Sequence, residues 1–110
     1  MNVSHKALAA GRWQSFSFPL QMAHVGSEIE RALRGREIGN EARCRSAYER
    51  ALELLDLTAW GVRQPSRLKE LRRAREALVD YFDGSNEMGS SPALWRRYFD
   101  AFTYVARSDR

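Results

Sequence analysis

The sequence predicts an all-α protein, an antiparallel up-down-up-down four-helix bundle preceded by a flexible N-terminal tail. Apolar residues recur at three-and-four spacing in four separate stretches. Each stretch is bounded by a capping residue, a proline or a glycine. No run alternates apolar and polar residues in the manner of a half-buried strand, and no internal repeat is visible. At 110 residues the chain suffices for one domain with a single core. The expected division is a tail over 1–16 and a bundle over 17–107, with helices near 18–34, 41–60, 67–83 and 92–107.

Residues 1–16 hold no sustained period and read as a tail, mobile up to Gly11. Trp13, Phe16 and Phe18 are too apolar for solvent and should pin the end of the tail to the bundle. Helix one begins at Ser17 to Pro19, because proline suits a first turn whose N–H groups are unpaired anyway. Met22, Val25, Ile29 and Leu33 form its stripe, and Gly35 or Gly39 ends it. Gly26 lies inside this helix, where it costs about 1 kcal/mol against alanine unless a neighbouring helix approaches closely there.

The second helix is the most regular. Cys44, Ala47, Tyr48, Ala51, Leu52, Leu55 and Thr58 share a face, Asn40 is a plausible cap and Gly61 a left-handed stop. In VRQPS, Pro65 breaks the chain and Ser66 caps helix three, which carries Leu68, Leu71, Leu78, Val79 and Phe82 and closes at Gly84. GSNEMGSS is a polar loop. Ser91-Pro92 opens helix four, with Leu94, Trp95, Tyr98, Phe99, Phe102, Val105 and Ala106 on its apolar side and SDR fraying after it.

Composition excludes some classes. No run of about eighteen apolar residues could span a bilayer, so no membrane partner is expected. The N-terminal MNVSHKALAAG has only the short patch ALAA, which does not read as an export signal. A single cysteine, on the buried side of its helix, fits a reduced cytoplasmic setting. The net charge of +4 comes from sixteen arginines and two lysines against fourteen carboxylates, a mildly basic balance with a pI of about 9.7. The arginine excess reads first as the codon bias of a GC-rich genome, although arginine also suits phosphates.

No catalytic residue, cofactor-binding residue or metal ligand can be assigned. His5, His24 and Cys44 are too scattered for a zinc site, and phosphate-binding glycine loops and nucleophile elbows are absent from the sequence. His24 and Glu28, four apart, read as an ordinary pair on the flank of helix one. The rows Glu49, Glu53, Asp56 and Glu76, Asp80, Asp83 fall opposite the apolar stripes and read as solvated acidic faces rather than a di-metal cage. A nucleic-acid contact would draw on Arg31, Arg34 and Arg36 of helix one with Arg67, Arg72 and Arg73 of helix three, diluted by Glu70 and Glu76. Arg75 falls among Leu71, Leu78 and Phe82, which implies a buried or interface ion pair. Trp95, Tyr98, Phe99 and Phe102 span a face wider than one bundle seam needs and suggest an oligomer contact.

Through QMAHVGSEIERALRGREIGNEA, AYERALELLDLT and RLKELRRAREALVDYF, covering most of 20–83, the chain resembles a family of short prokaryotic proteins of unknown function. That resemblance implies an all-helical fold and carries no functional residue. At the level of architecture and charge the chain is similar to the small basic four-helix accessory proteins of diversity-generating retroelements. Those form ring-like oligomers and bind a reverse transcriptase and RNA. HEPN ribonucleases are helical bundles too, but neither His5 nor His24 has the upstream arginine of their Arg-x4-6-His motif.

The leading expectation is therefore a non-enzymatic, cytoplasmic, self-associating adaptor or accessory subunit with a protein partner and no cofactor. The alternative is a nucleic-acid-binding accessory protein using the arginines of helices one and three. A nuclease or hydrolase built on His24 and the acidic residues ranks last.

Overall fold

The computed structural model describes residues 11–108, which are helical almost throughout and contain no strand. The expected mobility before Gly11 lies outside the described residues, as do Asp109 and Arg110 of the SDR tail, whereas Ser108, expected to fray, is the last residue of a helix. A short helical segment over 11–14 comes first. It is followed by α1 (Phe18–Glu37), α2 (Glu41–Gly61), α3 (Pro65–Phe82) and α4 (Pro92–Ser108). Among the described residues no helix is long and apolar enough to cross a membrane.

Three of the four long helices start on a local side-chain cap. Ser17 Oγ accepts from the Leu20 N–H at 3.3 Å, Asn40 Oδ1 from Arg43 at 3.1 Å and Ser91 Oγ from Leu94 at 3.1 Å. α3 differs. Pro65 is its first residue rather than a break before it, Gln64 precedes it without a side-chain cap, and Ser66 lies inside the first turn. The proline needs no N–H partner there and has φ already set for a helix.

The ends are also informative. α1 runs through Gly35 to Glu37, and Gly39, at φ 76°, makes the left-handed turn. Gly35 has another role: a Cβ there would lie 2.9 Å from the Cys44 backbone nitrogen, so it lets α2 cross close to α1. Gly61 is not a left-handed stop but the last helical residue of α2, and the chain leaves extended through Val62. α3 closes as its Gly84 N–H donates back to the Val79 and Asp80 carbonyls at 3.0 and 3.1 Å.

α1 is the centre of the packing. Met22, Val25, Ile29, Ala32 and Leu33 are buried against α2 and α4, whereas α3 leans more lightly on α2. Each fully buried aliphatic side chain contributes about 1.5–3 kcal/mol. α2 adds Cys44, Ala47, Tyr48, Ala51, Leu55 and Thr58, with Leu52 half-buried; α3 adds Leu71, Ala74, Leu78 and Phe82. Neighbouring helices meet in reverse order of sequence. Tyr48 stacks near Phe82 at 4.9 Å while Asp56 reaches Arg75, and Glu30 holds Arg96 while Phe18 meets Phe102 at 5.8 Å.

The aromatic surplus of α4 is largely absorbed within the chain. Trp95 and Phe99 are 3% and 4% exposed and belong to the core, not to an oligomer contact. Gly26 is the reason: a Cβ there would sit 2.7 Å from Phe99 Cβ, so the glycine lets α4 press onto α1. Tyr98 donates to Glu70 Oε2 at 2.8 Å, and Phe102 packs edge-on against Phe18 and Tyr98. What stays exposed on α4 is Leu94, Tyr104 and Val105.

Candidate nucleic-acid interface

The six arginines read from the sequence do not form one surface. Arg31 pairs with Glu28 at 3.2 Å. Arg36 lies over the rings of Tyr81 and Phe82 and donates to the Phe82 carbonyl at 3.1 Å, where a cation favours a helix C-terminus. Arg67 sits 4.2 Å over the Phe18 ring. Of the six, Arg34, Arg72 and Arg73 are exposed and make neither an ion pair nor an aromatic contact among the described residues. Arg34 lies on α1 and Arg72 and Arg73 on α3, two helices that do not pack closely on each other.

The carboxylate rows are not plain solvated faces either. Asp56 receives Arg75, and Asp83 receives Arg45 at 2.6 Å and the Tyr48 hydroxyl at 2.9 Å. Asp80 accepts the Glu87 and Met88 N–H groups, both at 2.9 Å, and so ties down the loop after α3. The hydrogen bonds from Arg45 and then Tyr48 hold the Asp83 carboxyl below the usual range. Burial, followed by the Asp83 bond, pushes Tyr48 up to about 12. Glu28 is buried and bound by Arg31 and Arg50, not by His24, which instead stacks on Phe16 at 5.5 Å.

Arg75 needs a correction of the same kind. It does meet a carboxylate, with Nε 2.8 Å and Nη2 3.3 Å from the two oxygens of Asp56. Its side chain is 43% exposed, however, so the pair is not buried within the chain. The long stem carries the guanidinium off the stripe to the solvent edge. A pair so placed contributes about 0–1 kcal/mol.

Charge is sorted along the bundle rather than around its helices. Segments 11–27, 57–69 and 101–108 carry Arg12, Arg63, Arg67, Lys69 and Arg107 and no carboxylate. Segments 28–56 and 70–100 hold thirteen carboxylates and eleven arginines. The positive excess of the described residues therefore lies wholly in the three carboxylate-free segments.

These segments meet at one end of the molecule. Trp13 Nε1 donates to Thr58 Oγ1 at 2.9 Å and Gln14 Nε2 to the Leu57 carbonyl at 2.7 Å. Gln21 Nε2 donates to the Trp13 carbonyl at 2.9 Å. Phe18 links the other two, lying under Arg67 and against Phe102. All five cations are exposed. Two aromatics accompany them in solvent, Trp60 at 76% and Tyr104 at 74% exposed. Beside Trp60, between α2 and α3, runs an open groove of about 500 Å³ with Arg72 on its wall. Helical-wheel reasoning missed this pole because it compares faces; charge counted segment by segment would have found it.

Comparison with known protein families, curated proteins and solved structures gives no match. Among the described residues, no group of three or more histidine, cysteine, aspartate or glutamate side chains is arranged to hold a metal ion.

Proposed function

We propose that this chain is a non-enzymatic cytoplasmic accessory protein that binds nucleic acid at the cationic pole of an antiparallel up-down-up-down four-helix bundle. The observation carrying this reading is that Arg12, Arg63, Arg67, Lys69 and Arg107 lie on three segments, 11–27, 57–69 and 101–108, that contain no carboxylate and meet at one end of the described bundle. The molecule is 35 Å in its longest extent. At physiological salt the Debye length is about 8 Å, so acidic residues toward the far end are screened from a ligand at the pole. Phosphate contact is the chemistry such a cluster favours. The reverse-order contacts between neighbouring helices support the topology. The engagement of Glu28, Asp56, Asp80 and Asp83 as ion-pair partners or loop anchors supports a non-catalytic role.

Charge reversal tests the location. Arg63→Glu with Arg67→Glu is expected to weaken binding of a fluorescein-labelled single strand at least tenfold by anisotropy, broadly across sequences, since phosphate contacts carry no base information. Arg34→Glu with Arg73→Glu should change it far less. The opposite ranking would return the interface to the helix faces.

A second reading, self-association and docking of a protein partner, is favoured by exposed Leu94, Tyr104 and Val105 on α4. It is also favoured by the loose seam between α3 and α4, which leaves a groove of about 390 Å³ beside Tyr98. Sedimentation equilibrium at micromolar concentration is expected to give a mass above one chain, and a clean monomer would remove this reading. The two readings are compatible, because an oligomer would multiply a weak pole through effective concentration.

A further inference from the structure

We infer that the groove between α2 and α3 takes an unstacked base of a single-stranded nucleic acid, stacked on Trp60, while its backbone runs over Arg63, Arg67 and Arg72. The inference rests on the reading of the pole as a nucleic-acid site and adds which form of nucleic acid it prefers. Trp60 is the penultimate residue of α2 and holds its indole in solvent, although tryptophan is the side chain whose exposure forgoes the most apolar burial. Trp13 and Trp95, by contrast, are buried.

The surroundings of Trp60 suit a flat, partly apolar ligand. Ala59, Leu68 and Leu71 line the groove on its apolar side, and Arg72 stands beside them. The volume of about 500 Å³ lies within the roughly 300–1,000 Å³ of small-ligand sites. Farther along, the carboxylate of Asp56 would repel a phosphate if it were free, but Arg75 holds it from both oxygens. A neutral base can approach that pair where a bare phosphate would not. Arg63 and Arg67 flank the adjoining hollow around Gly61 and Gln64, so cations continue from the groove toward the pole.

A base inside a duplex is already stacked on its neighbours and cannot enter this groove, whereas a single strand offers its bases freely. Stacking on an exposed aromatic is sequence-tolerant because every base has a π-face. A cationic track beside one such platform is the combination used by single-strand binders.

Tryptophan fluorescence reads the site directly, because Trp60 is the exposed one of three tryptophans. Titration of the full chain with twelve-nucleotide oligo-dT and oligo-rU is expected to quench the emission, and a twelve-base-pair duplex at equal phosphate concentration is expected to leave it nearly unchanged. Trp60→Ala should weaken single-strand binding about fivefold to a hundredfold, the range of one lost base stack, without altering its salt dependence. Its circular dichroism should match the parent, since the side chain buries little. Single-strand binding without quenching, a duplex that quenches equally, or Trp60→Ala binding as tightly as the parent would overturn the groove while leaving the pole intact. Failure of every nucleic acid to bind would overturn both.

Discussion

Trp13→Ala is expected to lower the free energy of unfolding by about 3–5 kcal/mol, the range for deleting a buried aromatic. Trp13 is nearly enclosed, its indole N–H is bonded to Thr58, and its ring packs at 5.7 Å from both Phe16 and His24. Removing it leaves a cavity where segment 11–16 meets the end of α2. Thr58 would not be stranded, because its hydroxyl also donates to the Leu54 carbonyl at 2.8 Å. Trp13→Phe should therefore cost much less than Trp13→Ala, with about 1 kcal/mol for the lost hydrogen bond plus a modest packing term. Urea unfolding followed by circular dichroism measures both. A loss below about 1 kcal/mol for Trp13→Ala would mean that segment 11–16 is not packed on the bundle, and Arg12 would then not belong to the pole.

Gly35→Ala is expected to destabilise by about 1–3 kcal/mol, as overpacking does in a tight contact. The sign is the informative part. In an open helix interior the same change stabilises by roughly 0.5–1 kcal/mol, because alanine gives up less backbone entropy than glycine. Here the added methyl would meet the Cys44 nitrogen at 2.9 Å and the Asn40 carbonyl oxygen and Cys44 Cα at 3.2 Å. All three are backbone atoms and cannot rotate away as a side chain could. Thermal unfolding should show a lower midpoint, and a raised midpoint would contradict the close crossing of α1 and α2.

Much of this fold was legible in the sequence because its signals are local. The caps Ser17, Asn40 and Ser91 act within three residues, and the stripes of α1 and α2 follow from period alone. What misled was local chemistry with two outcomes. Pro65 can end one helix or begin the next, and only the extended exit through Val62 decides for the second. Gly35 and Gly39 both looked like stops, but which of them turns left-handed depends on where α2 crosses. Trp95 and Phe99 looked surplus because period counts apolar positions and not the approach distance that Gly26 permits.

The candidate site was less legible for a different reason. Helical wheels sort residues by angle and discard position along the axis. Arg63, Lys69 and Arg107 share no face, yet short hairpin connections bring their ends of the bundle together. Arg31 and Arg36 sit in basic stretches but are occupied by Glu28 and by the end of α3. Arg75 shows the limit of the wheel from the other side, since angle placed it in the stripe while its length let it leave.

The salt dependence of single-strand binding tests the central claim most directly. If three to five cations of the pole meet phosphates, counterion release gives a slope of log affinity against log salt of about −2 to −3.5, using roughly 0.7 per contact for a single strand. Anisotropy of a labelled oligonucleotide at several salt concentrations should return that slope, and Arg63→Glu with Arg67→Glu should flatten it by one to two units, about 0.7 for each contact removed. Affinity independent of salt, or no binding at low salt, would contradict a nucleic-acid interface at this pole.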